Sequence, residues 1–278
     1  MIDITEDEIV IQLTQCLSAL NIVEGDHVLV HSSLAQLIYV TGIYDARQVA
    51  QVVHRGMRRT IGERGVIATL SATWETARDG LDFHVESTPV SKDLGLFPEY
   101  LRSLSGVVRT DHPVFSLCFE GEADHMEDDV MGHLFAFGAT SPWATMLKRG
   151  YKILFFGLGT LKQMSLVHHA EQLVGVPYCY NKVFPGKVWR DGVEQRGPYI
   201  YNVPYRQMGI EYSTMDRLKE LLVSSGALRE CDFLGVPVMS VGTVDAFNQT
   251  SSMLKEDCYS LLVAPPCYSP FQPPIDRY

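Results

Sequence analysis

The chain has 278 residues, 46% of them apolar and 20% charged, the make-up of a globular protein with enough apolar side chain for a sizeable core. A formal charge of −10 at pH 7 argues against nucleic acid or an anionic membrane surface as partner, and suits an acidic cytosolic enzyme or a cationic small-molecule ligand. No apolar run is long enough to span a bilayer, and the start (Met-Ile-Asp-Ile-Thr-Glu-Asp-Glu) lacks the basic-then-apolar order of a secretory signal, so the expected location is the cytoplasm.

Thr5 and Glu8 have capping-box spacing, and Ile9, Leu13, Cys16, Leu17 and Leu20 recur at helical period, which predicts an amphipathic helix over residues 5–20. Val28-Leu29-Val30 reads as a buried strand after the Gly25-Asp26 turn. Asp45 caps a second predicted helix reaching Ile61, with Val49, Val52, Val53 and Met57 inward, and residues 65–70 form the next strand. A helix is expected over 93–104 and another opening at Pro142. Lys152-Ile-Leu-Phe-Phe-Gly157 is a strand, followed by a glycine-containing turn and a helix over 165–174. Residues 180–212 suggest hairpins, 213–225 a helix, 236–241 a strand and 244–254 a last helix. This alternation predicts one α/β domain over 1–263, a central mostly parallel sheet flanked by helices, with a Pro-rich tail over 264–278.

Six cysteines (16, 118, 179, 231, 258 and 267) are scattered without a CxxC pair, so reduced thiols and no metal site are expected. His168 and Glu171 are three residues apart on a predicted helix, close enough for the carboxylate to fix the imidazole tautomer and raise its basicity. The same spacing also occurs in plain surface pairs. His31-Ser32-Ser33-Leu34 leaves the first strand, where hydroxyls and backbone N–H groups either cradle a phosphate or amide or merely complete a turn. In Arg109-Thr-Asp-His112-Pro-Val-Phe-Ser116 the guanidinium either meets a diphosphate or pairs with a carboxylate such as Asp111. Arg55, Arg58 and Arg59 stripe one helix, a pattern better suited to a solvated face than to a phosphate. Tyrosines at 178, 180, 199, 201 and 205 fit either a sugar-binding surface or hairpin strands. No GxGxxG, P-loop or GxSxG pattern occurs, which leaves nucleotide-dependent redox chemistry, phosphoryl transfer and α/β-hydrolase chemistry without support.

Taken in order, VHSSL (30–34), Trp74-Glu75, STPVSKDLGLFPEYLR (87–102), RTDHPVFS (109–116), FGATSPW (137–143), KILFFGLG (152–159), SLVHHAE (165–171) and VPYCYNKVFPG (176–186) resemble the aminoglycoside 3-N-acetyltransferase family, also called the antibiotic N-acetyltransferase family. The resemblance runs over residues 5–245. It implies an α/β fold distinct from the GNAT acetyltransferases, acetyl-CoA as donor, and direct acyl transfer to the amine of a small-molecule acceptor; the chain itself is expected to be a monomer or homodimer. It implies His168 as general base, Glu171 as its orienting acid and Ser165 near the thioester. His31, Ser32, Ser33, Leu34, Arg109, His112 and Ser116 are implied as coenzyme contacts, and Trp74, Glu75 and Phe137 as acceptor-side residues. Ala68-Thr69 and Phe135-Ala136 stand where the family usually has Met-Pro and His-Pro, so the acceptor is expected to be an aminoglycoside-like amino sugar or a biosynthetic amino sugar or sugar nucleotide. The acidic stretch 124–129 leans toward the cationic acceptor. A coenzyme-binding protein without turnover and a thioesterase-like hydrolase are the readings from other classes.

Overall fold

The computed structural model describes residues 4–122 and 133–267, so the acidic stretch 124–129 and the end of the tail, 268–278, lie outside the described residues. Helix α1 (Glu6–Ala19) starts on the expected reciprocal cap: the Thr5 hydroxyl accepts from the Glu8 N–H, and the Glu8 carboxylate accepts from the Thr5 N–H at 2.8 Å. Helices α2 (Ala35–Thr41) and α3 (Ala46–Ile61) follow the first strand, β1 (His27–Ser32). Asp45 caps α3 by accepting from the Gln48 N–H at 2.9 Å, and Val49, Val52, Val53 and Met57 face inward. Two arginines of the basic stripe on α3 are engaged within the fold, Arg55 with Glu6 and Asp7 of α1 and Arg58 with Glu120, while Arg59 is exposed.

Next come β2 (Val66–Leu70), α4 (Trp74–Asp79), β3 (Phe83–His84), α5 (Leu96–Arg102), β4 (Val108–Arg109) and β5 (Leu117–Gly121). Beyond the undescribed stretch lie α6 (Pro142–Lys148), β6 (Lys152–Phe156), α7 (Leu166–Val174), β7 (Cys179–Val183), β8 (Val188–Arg190), β9 (Val193–Glu194) and β10 (Ile200–Pro204). The described chain closes with α8 (Asp216–Ser224), β11 (Arg229–Phe233), β12 (Val236–Gly242) and α9 (Thr243–Glu256).

The main sheet has the order β11-β12-β6-β1-β2-β5-β4. β6, β1 and β2 pair in parallel at its centre, while β12 and β5 run against their neighbours, so five of the seven strands point one way. The expected mostly parallel sheet thus has antiparallel flanks. On one side the cause is a two-residue hairpin, Leu234-Gly235, with both residues at positive φ (57° and 82°), which returns β11 directly into β12.

The central strands read as unbroken apolar runs because both faces are covered. Leu29, Ile153 and Phe155 enter one core with α6, α7 and α9, whereas Val28, Val30, Leu154 and Phe156 enter another with α1, α3 and α5. Residues 180–212 form the expected excursion: β7 pairs with β10, and β8 joins β3 and β9 in a small sheet. Among the described residues no helix is long and apolar enough to cross a membrane.

Candidate active site

Three parallel strands end at the same edge of the sheet, and the loops that follow them meet there, the usual ligand position in open α/β sheets. β1 ends at His31-Ser32, β2 at Leu70 and β6 at Phe156. β5, being antiparallel, brings its preceding loop to this edge as well, because Leu117 pairs with Leu70. The loops of β1 and β6 pack backbone to backbone at Gly157, whose φ is +69° and where a Cβ would stand 2.1 Å from the Ser33 carbonyl oxygen. Only glycine fits such an approach.

His168 sits in the first turn of α7, with Ser165 at its N-cap. Its Nδ1 donates to Glu171 Oε2 at 2.7 Å, which directs the imidazole lone pair to Nε2. Glu171 is 1% exposed and accepts two further bonds, from the Tyr178 hydroxyl to Oε1 at 2.6 Å and from the Tyr212 hydroxyl to Oε2 at 3.1 Å. Three donors around one carboxylate are what keep a buried charge tolerable. Burial first, and the Glu171 charge second, push both phenols up, so they remain protonated donors. Phe115, Phe137 and Tyr212 surround the His168 ring, with centroids 6.3, 5.8 and 5.2 Å away.

The neighbouring histidine behaves differently. His169 is buried on the core side, and its Nδ1 accepts from the Gly138 N–H at 3.2 Å. Burial pushes its imidazole down to about 4, so it stays neutral and structural.

His168 and Ser165 border a cleft of about 640 Å³. His31, Ser32, Ser33 and Leu34 line it from β1 and its loop, Thr69 from β2, and Trp74 from α4. Its charged lining side chains, apart from histidine, are Asp93 and Lys162. His31 is 7% exposed, stacks on Phe155 with centroids 5.6 Å apart, and its Nε2 has no protein partner among the described residues. Burial pushes it down to about 4, leaving a neutral ring beside the cleft.

Five expected contacts lie outside the cleft lining. Arg109 is 4% exposed, and its guanidinium donates to the Ser71 and Ser116 hydroxyls and to the carbonyls of Ser71, Val85 and Thr88, with the Phe83 ring beneath it. It has no edge left for a diphosphate; its alternative pairing fails too, because Asp111 is taken by Arg190. The Ser116 hydroxyl donates to the Ser71 carbonyl at 2.7 Å. His112 is buried, donates from Nε2 to the Ile200 carbonyl, and accepts on Nδ1 from the Val114 and Phe115 N–H groups. These three residues brace the loops carrying Phe115 and Trp74 rather than lining the cleft. Phe137 is wholly buried between Trp143 and His168, behind the imidazole, and cannot meet an acceptor there. Glu75, next to Trp74, is exposed, and the Ser91 hydroxyl donates to it, which together with a backbone hydrogen bond holds its carboxyl below the usual range.

Tyr212 carries no sequence signal of its own, since it follows Glu171 by 41 residues and meets it only through the fold. Tyr178 is visible in the sequence as part of VPYCY, but not as a carboxylate's partner.

Residues 29–255, from within β1 to within α9 and including every loop at this edge, match the family described as aminoglycoside 3-N-acetyltransferase. The chain belongs to that family. It is 30% identical over 190 residues to aminoglycoside N(3)-acetyltransferase VII of Streptomyces paromomycinus, covering 60% of this chain and 61% of that one. It is 28% identical over 182 residues to aminoglycoside N(3)-acetyltransferase VIII of Streptomyces fradiae, again with 60% and 61% covered, so the chain spans about three-fifths of the length of these two relatives. Among solved structures, AAC-IIIb in binary complex with CoASH superposes with a TM-score of 0.71 at 20% identity, over 91% of this chain and 97% of that one. AAC-VIa bound to sisomicin gives 0.72 at 18% identity, over 92% and 98%. These likenesses establish the antibiotic N-acetyltransferase fold, which is not that of the GNAT enzymes.

Proposed function

We propose that the chain transfers an acetyl group from acetyl-CoA to an amine of an aminoglycoside-like amino sugar, with His168 as general base. The observation that carries the reading is the His168–Glu171 pair, locked by two tyrosine hydroxyls at the wall of a cleft of about 640 Å³. Family membership supports the reaction class, and the CoASH and sisomicin complexes of structural neighbours support donor and acceptor. The cleft suits the arm of a coenzyme A thioester, since its lining combines the polar residues Ser33, Thr69 and Ser165 with the apolar Val30, Leu34 and Ile38, as that arm combines amides with alkyl segments.

The thioester supplies an acyl group already activated toward amines. His168 Nε2 takes the proton that an attacking amine must lose, and Glu171 stabilises the imidazolium so formed. The same imidazolium then returns the proton to the departing sulfur. The Ser165 hydroxyl, which lines the cleft with His168, donates to the carbonyl oxygen as charge develops on it.

Thiol release from acetyl-CoA, measured with and without a panel of 2-deoxystreptamine aminoglycosides, tests the reading. His168→Ala is expected to lower acceptor-dependent release by about 10²- to 10⁴-fold with coenzyme binding retained. Activity within about tenfold of wild type would remove His168 from the mechanism. A second acceptor class is kept for one reason: the described cleft lining has a single carboxylate, Asp93, where a polycation would favour several. Release stimulated by amino-sugar nucleotides and not by aminoglycosides would select that class.

A further inference from the structure

We infer that Lys162 is a self-acetylation site: when no acceptor occupies the cleft, its side-chain amine takes the acetyl group from the thioester, with His168 as base. The inference rests on the reading that acetyl-CoA is the donor. Lys162 belongs to the segment that joins β6 to α7. Leu161 and Met164 are buried in the core and pin this segment, and the Met164 N–H donates to the Leu161 carbonyl at 2.9 Å to close a turn. Lys162 and Gln163, between the two pins, are exposed and line the cleft, as do Ser165 and His168 further along the same segment. A cleft of about 640 Å³ is ordinary for one small ligand. The flexible four-carbon stem of a lysine on its wall reaches well into such a space.

Among the described lining residues, Lys162 carries the one primary amine. Its side chain forms no ion pair or hydrogen bond among the described residues, so nothing in the fold draws the amine away from a ligand. Other lysines are placed differently. Lys152 pairs with Asp26, Lys187 with Glu194 and Lys219 with Glu230. Lys148 on α6 and Lys255 on α9 are exposed, outside the cleft lining. The step is the proposed reaction with Lys162 in the acceptor's place. The ammonium first loses a proton to solvent, and Nζ attacks the thioester carbonyl carbon. The N–C bond forms and the C–S bond breaks, while His168 Nε2 takes the second proton from nitrogen and returns it to the departing sulfur. The products are Nε-acetyllysine at 162 and the coenzyme thiol. Holding amine and thioester in one cleft makes the transfer effectively unimolecular, an advantage that a surface lysine meeting acetyl-CoA from solution does not have.

The test incubates the full chain with acetyl-CoA in the absence of any amine acceptor and follows each lysine by peptide mass spectrometry. Acceptor-dependent thiol release is measured in parallel. Lys162 should gain its acetyl group at least about tenfold faster than Lys148 and Lys255. His168→Ala should abolish that advantage and leave the slow acetylation of Lys148 and Lys255 as it is. Lys162→Arg should remove the fast phase of acetyl uptake from the intact mass. Thiol release on adding an acceptor, with Lys162 acetylated no faster than Lys148 and Lys255, overturns the inference and leaves the proposed reaction standing. A Lys162 advantage that persists in His168→Ala also overturns it, because the acetyl group then arrives without the base of the site. Neither thiol release with any acceptor of the panel nor acetyl on Lys162 overturns both.

Discussion

Glu171 is the residue on which the site turns. It is buried, and its two oxygens receive one imidazole and two phenol donors. Replacing a donor leaves the carboxylate short of a partner it has no water to replace, which costs about 1.5–3 kcal/mol for a hydrogen bond to a charged group. Tyr178→Phe is therefore expected to lower the melting temperature measurably, and an unchanged transition in scanning calorimetry would contradict the role given to that hydroxyl. Glu171→Gln keeps the shape but cannot stabilise an imidazolium. Its kcat should fall by about 10²-fold or more, while KM for the thioester stays within about threefold, as expected of a group that orients a base. A rise in KM alone would place Glu171 in binding instead.

At the scale of elements, legibility follows how local the determining contact is. The helices α1 and α3 are specified by caps three residues apart, Thr5 with Glu8 and Asp45 with Gln48, and by buried faces at helical period. The β11–β12 hairpin was hidden because its turn is Leu234-Gly235 rather than Asn-Gly, with Leu234 held at φ 57° where leucine is disfavoured. Its support is Asp232, whose Oδ1 accepts from the Gly235 N–H at 2.8 Å. The contact that shapes the cleft is between elements: the β6 loop meets the β1 loop at Gly157. Gly157→Ala places a methyl against the Ser33 carbonyl at positive φ, and should cost more than about 1 kcal/mol. Urea denaturation would read this as a lower midpoint at unchanged m-value, and an unchanged midpoint would show that the two loops separate freely.

The whole molecule sets a pH limit. His31, His112 and His169 are each pushed by burial from 6.5 down to about 4. They are neutral in the folded chain down to about that pH, whereas in the unfolded chain they take up protons near 6.5. Between these values the unfolded state binds more protons, so stability is complete above 6.5 and falls as pH drops toward 4. Each histidine contributes up to about 1.4 kcal/mol per pH unit in that window. The melting temperature should be lower at pH 5 than at pH 7, and His169→Gln should flatten the dependence. A melting temperature equal at the two values would mean that these rings are not held neutral.

By itself the sequence determined the α/β class, the helical caps, the buried strands and the pair His168 and Glu171, because each depends on residues a turn or a strand apart. The family likeness added the loops at the carboxyl ends of the strands. Only the tertiary structure decided which of the candidates share a cleft. It placed Tyr212 on Glu171, turned His169 into the core, and moved Arg109, His112, Ser116 and Phe137 behind the site wall. The reason is physical: a side chain's polar atoms bind whatever backbone or ring the fold brings within about 3 Å, and burial, not residue type, decides whether that partner is protein or ligand.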